Sequence, residues 1–242
     1  MGTHKQTIVI IPAFNEENAI GNVISKTKNT LENTDIVVVD DGSSDNTVNV
    51  ARENGAGVLS LGINAGYGVA LQTGYKYAYE NGYDYILQID GDGQHEPRFL
   101  KNILDELKTG KNEVVIGSRY LSVPRYGSGL LRKIGMRFFA FLASVSVRHK
   151  ITDPTSGFVG FRREVLPILI SDYFPVDYPD ADVIIMLKRC GFSLKEIPVV
   201  MYPGSAKSMH RGIRPVYYIF KMLLSILVTL LRDYGKKSGR GL

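Results

Sequence analysis

Over the first half of the chain, short runs of β-branched and aliphatic residues alternate with longer stretches whose apolar positions recur every three or four residues. The runs at 8–11, 36–39, 58–61, 85–89 and 114–117 are bounded by Gly, Asp or Pro and predict buried strands. Between them, 17–30, 45–54, 67–81 and 97–108 have helical length and period, with Ser44 or Asp45 placed to cap the second. Such a βαβ series predicts an α/β fold, a mainly parallel sheet flanked by helices on both faces. Ligands of such sheets bind beyond the carboxyl ends of the strands. Three polar clusters stand there: Pro12-Ala13-Phe14-Asn15-Glu16, Asp40-Asp41-Gly42-Ser43 and Asp90-Gly91-Asp92-Gly93-Gln94.

From residue 130 the pattern changes. Residues 130–147 are apolar and aromatic between basic flanks and predict an amphipathic helix; a Pro/Gly-punctuated segment at 152–161, a helical stretch near 182–190 and a strand at 194–200 follow. The last apolar element, 215–232, carries Lys221 near its middle and falls short of the roughly 20 apolar residues of a membrane span. It reads as an interfacial helix, with a core helix packed on the domain as the alternative. The chain therefore divides into a domain at 1–212, which includes the 130–147 helix, and a C-terminal amphipathic helix with a basic tail at 213–242.

Composition narrows the classes. With 242 residues, 44% of them hydrophobic, the chain can bury a sizeable core and is not a disordered sequence. Cys190 is the only cysteine, which rules out an intrachain disulfide and a Cys-based metal cluster and fits a reducing cytoplasm. The apolar run after Gln6 is too short for a signal peptide or a span, and Gln6 stands where an N-myristoylation signal needs Ser or Thr. The net charge of +5 is concentrated at Arg119, Arg125, Arg132, Arg137 and Arg148 and again at Lys236, Lys237 and Arg240. No nucleic-acid-binding module accompanies it, which leaves anionic membrane surfaces and phosphorylated ligands as partners.

Asp90 and Asp92, one residue apart where a buried strand meets a Gly-rich turn, are hard oxygen donors suited to Mg²⁺ or Mn²⁺ with positions left open for a diphosphate. The plainer alternative is an Asp-Gly turn whose carboxylates bond backbone amides. Asp41 is placed to accept a base N–H, or else to brace a strand-end turn; Asn15-Glu16 reads equally as a nucleotide contact or an ordinary helix start.

Taken in order, these clusters resemble glycosyltransferase family 2, whose P-x-Y/F-N-E, D-D-G-S and D-x-D motifs match 12–16, 40–43 and 90–92. The resemblance spans roughly residues 7–232 and implies the Rossmann-like GT-A fold. It implies that Pro12, Asn15 and Glu16 frame a nucleotide-diphosphate sugar, that Asp41 reads its base, and that Asp90, also a nucleotide contact, holds Mg²⁺ or Mn²⁺ with Asp92 and Gln94. Gly117-Ser118-Arg119-Tyr120 matches G-S-R-Y, whose arginine is expected near phosphate, and Asp153-Pro154-Thr155-Ser156-Gly157-Phe158 matches D-x-T-S-G-F. Arg132, Lys207 and Arg211 are further candidates for the acceptor or the leaving diphosphate. Asp180 and Asp182 stand where relatives carry Glu-Asp and use the aspartate as general base; Pro179 replaces the Glu, and an acidic helix start is the alternative.

The resemblance thus implies an inverting, metal-dependent transfer of sugar to a polyprenyl-linked acceptor, either a lipid phosphate or a lipid-linked saccharide. The work would be done at the cytoplasmic face of a membrane, directly on the lipid surface or through a membrane partner. Two rivals remain. A catalytically silent nucleotide-sugar-binding scaffold would have no reason to keep Asp90 and Asp92 together. A nucleotidyltransferase would need a Gly-rich, Arg/Lys-bearing loop after the first strand, which is absent.

Overall fold

The structure, a computed structural model, describes residues 6–121, 144–145, 150–175, 179–202 and 214–234, with backbone only for 214–220 and 222. The predicted amphipathic helix at 130–147 lies outside these residues except for Ser144 and Val145, which are helical; Arg132, Lys207 and Arg211 also lie outside them.

Seven strands form one sheet: β1 (Thr7–Ala13), β2 (Asp35–Asp40), β3 (Gly57–Ser60), β4 (Tyr85–Gln88), β5 (Val114–Ser118), β6 (Val159–Arg162) and β7 (Leu194–Pro198), in the order β3-β2-β1-β4-β6-β5-β7. Every pairing is parallel except those of β6, which runs antiparallel between β4 and β5. Helices α1 (Ile20–Thr30), α2 (Thr47–Glu53), α3 (Tyr67–Glu80) and α4 (Phe99–Lys108) fill the predicted connections. A short helix α5 (Leu166–Leu169), α6 (Ala181–Arg189) and α7 (Arg214–Leu231) follow.

β1 is buried throughout because both faces of the sheet are covered, so its sequence reads as a continuous apolar run. Alternation still sorts its side chains. Ile8 and Ile10 join Val37, Val39, Ile86 and Ile116 in a core with α3 and α6, whereas Val9 and Ile11 join Val38, Leu87, Ile89 and Val115 under α1 and α4. The chain leaves β1 toward β2 and β3 on one side and takes up β4 on the other, so the switch point of the sheet, where ligands of such folds bind, lies beyond the ends of β1 and β4. Gly91 N–H donates to the carbonyl of Pro12 at 3.3 Å across that point.

The Pro/Gly-punctuated segment holds a strand that its sequence does not announce. β6 carries Gly160 under α4, where a Cβ would lie 2.5 Å from Ile103 Cγ2 and 2.8 Å from Leu107 Cδ1. The helix can sit this low only over a glycine. Gly160→Ala is therefore expected to destabilise the fold by about 1–3 kcal/mol through overpacking, read as a lowered urea midpoint with an unchanged slope.

Candidate active site

The loops after β1 and β2 are knitted into one ledge. Asn15, at φ 56°, donates its backbone N–H to Ser43 Oγ at 2.9 Å and accepts from Ser44 N–H through Oδ1 at 2.8 Å. Glu16 N–H donates to Thr47 Oγ1 at 2.8 Å, and Glu17 accepts from Asn46 N–H at 3.0 Å. Asp45, not Ser44, braces the start of α2, accepting from Thr47 N–H at 3.0 Å. Gly42, at φ 72°, brings this turn against the 63–64 backbone, where a Cβ would stand 2.4 Å from the carbonyl carbon of Ile63.

Asp41 is nearly enclosed, and its carboxylate accepts from Ala65 N–H at 2.7 Å and from Gly66 N–H at 3.0 Å. It pins the loop that leads into α3. A nucleobase would have to use what acceptor capacity these amides leave.

At the end of β4 the two acidic residues are presented differently. Asp90 Oδ1 accepts from the Tyr67 hydroxyl at 2.8 Å, while Oδ2 lies 3.7 Å from His95 Nδ1. Asp92 accepts from the backbone N–H of Gln94 at 2.9 Å and from its side-chain amide. Burial raises both carboxyls above the usual range, and the charge of Asp90 pushes Asp92 further up, while the Tyr67 hydroxyl and the more distant Arg119 pull Asp90 down. Burial holds the neighbouring His95 imidazole down to about 4, so it is neutral at pH 7 and gives neither carboxylate a counter-charge. His95 packs on Phe158 with ring centroids 5.0 Å apart and accepts from Asp90 N–H at 3.4 Å.

Two mutually repelling carboxylates without a cationic partner at ion-pair distance among the described residues, together with a Gln amide, are a hard oxygen donor set that fits a divalent ion. Among the described residues no three His, Cys, Asp or Glu side chains converge on one point. Further ligands would therefore come from a bound diphosphate and water, as Mg²⁺ sites commonly arrange.

Arg119 differs from the expectation of a phosphate-facing side chain. It is buried against Asp153, to which it donates from Nε at 2.7 Å, from Nη2 at 2.6 Å and from its backbone N–H at 3.0 Å, and it also reaches Thr155 Oγ1 at 3.0 Å. Glu196 on β7 accepts from the backbone N–H groups of Thr152 and Asp153, both at 2.8 Å. Ser156 Oγ donates to the Gly117 carbonyl at 2.6 Å. These bonds fasten residues 152–157 to the ends of β5 and β7 and drive Gly157 against the site. A Cβ there would lie 2.6 Å from Asp90 Oδ2 and 2.9 Å from the Tyr67 hydroxyl.

The structure brings Pro12, Asn15, Glu16, Asp41, Asp90, Asp92 and Gln94 to one sheet edge. Asp180 begins α6 and its charge reaches Tyr67. Asp182 lies elsewhere in function: it is fully buried, accepts from the backbone N–H groups of Asp180 at 3.0 Å and Val183 at 2.8 Å, and takes the hydroxyl of Ser225 on α7. A carboxylate so enclosed is an anchor for the helix start, not a base open to an acceptor. Sequence reasoning missed Tyr67, Gln88, His95 and Glu196. Only His95 carried a signal, a histidine directly after the acidic turn.

Comparison with known proteins gives the family and the fold. The family model described as Glycosyl transferase family 2 matches residues 8–168. A UDP-N-acetylglucosamine–dolichyl-phosphate N-acetylglucosaminyltransferase of Methanococcus voltae is 30% identical over 95% of this chain and 99% of its own. A polyprenol monophosphomannose synthase of Mycolicibacterium smegmatis is 30% identical over 81% of this chain and 77% of its own. Among solved structures, glucosyl-3-phosphoglycerate synthase from Mycobacterium tuberculosis, in complex with Mn²⁺, UDP and glucosyl-3-phosphoglycerate, superposes with a TM-score of 0.69 at 21% identity, covering 96% of this chain and 82% of that one. This likeness shows the fold, a GT-A-type sheet.

The Arg119–Asp153 pair generates a test of the site's frame. Asp153→Asn leaves a buried guanidinium without its counter-charge and is expected to cost about 3–5 kcal/mol, measured by chemical denaturation; a loss below about 1 kcal/mol would mean that water reaches the pair.

Proposed function

The chain belongs to glycosyl transferase family 2, and we propose from that premise that it transfers a sugar from a nucleotide-diphosphate donor to a polyprenyl-linked acceptor at a membrane surface, with inversion and with a divalent metal. The observation that carries this reading is the pair Asp90 and Asp92, held where the ends of β1 and β4 meet, with no cation among the described residues at ion-pair distance from either. A scaffold protein would gain nothing from that repulsion.

Asp90, Asp92 and Gln94 would hold Mg²⁺ or Mn²⁺, which when bound offsets the charge that builds on the leaving diphosphate. The ledge of Asn15, Glu16 and the 40–43 turn gives the nucleotide a preformed floor, and Asp41 keeps the 65–66 backbone fixed beside it. Arg119 acts through the frame it makes with Asp153 and through its field, which favours an ionised Asp90. Arg132, Lys207 and Arg211 supply positive charge for the acceptor phosphate or the leaving diphosphate. A lipid phosphate is already anionic and needs such charges to position it, whereas a saccharide hydroxyl needs a base, for which Asp180 is the candidate. The two relatives, by name a dolichyl-phosphate N-acetylglucosaminyltransferase and a polyprenol monophosphomannose synthase, favour the lipid phosphate.

α7 fits a peripheral membrane enzyme on the cytoplasmic face. No helix among the described residues is long and apolar enough to cross a membrane. One side of α7 joins the core through Ser225, Ile226 and Thr229; the other exposes Leu223, Leu224, Leu227, Val228 and Leu231. Tyr173 and Arg232 rim this stripe, the aromatic and cationic flank that suits an interface with anionic lipid. Both readings of this element, interfacial and core, thus describe one helix with two faces.

Purified protein incubated with a panel of nucleotide-sugars and Mn²⁺, with and without polyprenyl phosphate, is expected to yield a glycosyl polyprenyl phosphate with one donor; consumption of no donor under any condition would sink the assignment. Asp92→Asn is expected to abolish transfer while the circular dichroism spectrum stays that of the wild type, and excess chelator should reproduce the loss. Full transfer in chelator would remove the metal from the reaction.

The exposed stripe makes a separate prediction. Leu227→Glu puts a charge at its centre and should lower the fraction bound to anionic vesicles several-fold in a sedimentation assay, with the fold intact. Equal binding by the variant would assign that face to something other than lipid.

A further inference from the structure

Behind Asp90 lies a line of hydrogen bonds that the reaction as described does not use. Tyr75 on α3, 2% exposed, gives its hydroxyl to the side-chain carbonyl of Gln88, which is itself 3% exposed at the end of β4. The Gln88 amide then donates to the Tyr67 oxygen at 3.2 Å, and the Tyr67 hydroxyl donates to Asp90 Oδ1 at 2.8 Å. A tyrosine hydroxyl has a single hydrogen. Because Tyr67 spends its hydrogen on Asp90, Gln88 must turn its NH₂ toward Tyr67 and its oxygen toward Tyr75, and the Tyr75 hydrogen completes that orientation. Every donor in the line points toward the carboxylate, the arrangement in which successive bonds polarise one another.

From this geometry we infer that Tyr67, oriented by Gln88 and Tyr75, is a positioning residue: it claims Asp90 Oδ1 and leaves Oδ2 as the oxygen offered to the metal–diphosphate end of the donor. The inference rests on the reading of Asp90 and Asp92 as the donor's metal site. Three further observations bear on it. Gly157 packs against both groups at once, since a Cβ there would lie 2.6 Å from Asp90 Oδ2, 2.9 Å from Oδ1 and 2.9 Å from the Tyr67 hydroxyl, so only a glycine leaves the carboxylate and the phenol room to meet. Oδ2 takes no hydrogen bond among the described residues; His95 Nδ1 stands 3.7 Å from it, too far for one. Tyr67 also stands at the first position of α3, directly after Gly66, whose backbone N–H is held by Asp41, so the element that fixes the loop beside the nucleotide fixes the phenol as well.

The consequence is specific to the metal-bearing part of the ligand. Tyr67→Phe keeps the ring and removes one hydrogen bond to a charged group. It should weaken binding of Mn²⁺–UDP about tenfold by titration calorimetry, leave binding of UDP without metal unchanged, and leave the thermal midpoint within a degree or two. Tyr75→Phe removes the far end of the line, 13 residues from Gln88 in sequence, and should weaken Mn²⁺–UDP in the same direction by a smaller factor. Equal Mn²⁺–UDP affinity in Tyr67→Phe and wild type overturns the inference alone, as does an equal loss with and without metal; a silent Tyr75→Phe removes Gln88 and Tyr75 from it. A wild type that binds no Mn²⁺–UDP overturns the donor-site reading itself, and this inference with it.

Discussion

The buried pair of Arg119 and Asp153 is the constraint on which the site's shape depends. β5 and β6 run antiparallel, and the chain between them must return to the sheet edge with residues 152–158 seated beside the end of β4. Three donors from Arg119 and two backbone amides held by Glu196 fix that return. A buried ion pair is a poor source of net stability, since desolvation offsets most of its attraction. What it supplies here is geometry. Because Asp153 is immobile, Gly157 meets Asp90, Phe158 lies under His95, and the acidic turn has a wall as well as a floor.

The parallel half of the fold was legible because its signals are local. Apolar runs bounded by Asp and Gly place β1 to β5 nearly where they fall, and the polar clusters follow their strands as an open α/β sheet requires. β6 was not legible, since Gly157-Phe158-Val159-Gly160-Phe161 reads as turn chemistry. Gly160 is there for the close approach of α4, and the need for it lies in Ile103 and Leu107, more than 50 residues away. The acidic positions of the site could be found in the same local way. Their partners could not, because nothing near Tyr67 or Glu196 in sequence tells which loop each will touch.

Asp180 and Asp182 show the same limit within three residues. Both stand at a helix start, and the helix dipole favours a carboxylate at either. The structure tells them apart through α7, which brings Ser225 onto the buried Asp182, while Asp180 stays partly exposed. A helix that reads as an appendage in sequence therefore decides that Asp182, and not Asp180, is the acid taken up as an anchor. The boundary drawn at residue 213 is a boundary of composition, and the packing of Ile226 and Thr229 crosses it.

Placed together, these features divide the burden of the site between its two sides. On the side of the ledge, backbone amides and side chains of the loops after β1, β2 and β3 satisfy one another without a ligand, so a ligand bound there would have little left to order. At the acidic turn, Asp90 and Asp92 are held close although burial raises both carboxyls and the charge of Asp90 raises Asp92 further. A fold selected for stability alone would relieve that repulsion with a lysine or an amide. Keeping it, while bonding the rest of the ledge so fully, leaves at the end of β4 a charge that the described residues do not neutralise, which is the condition a divalent cation would relieve.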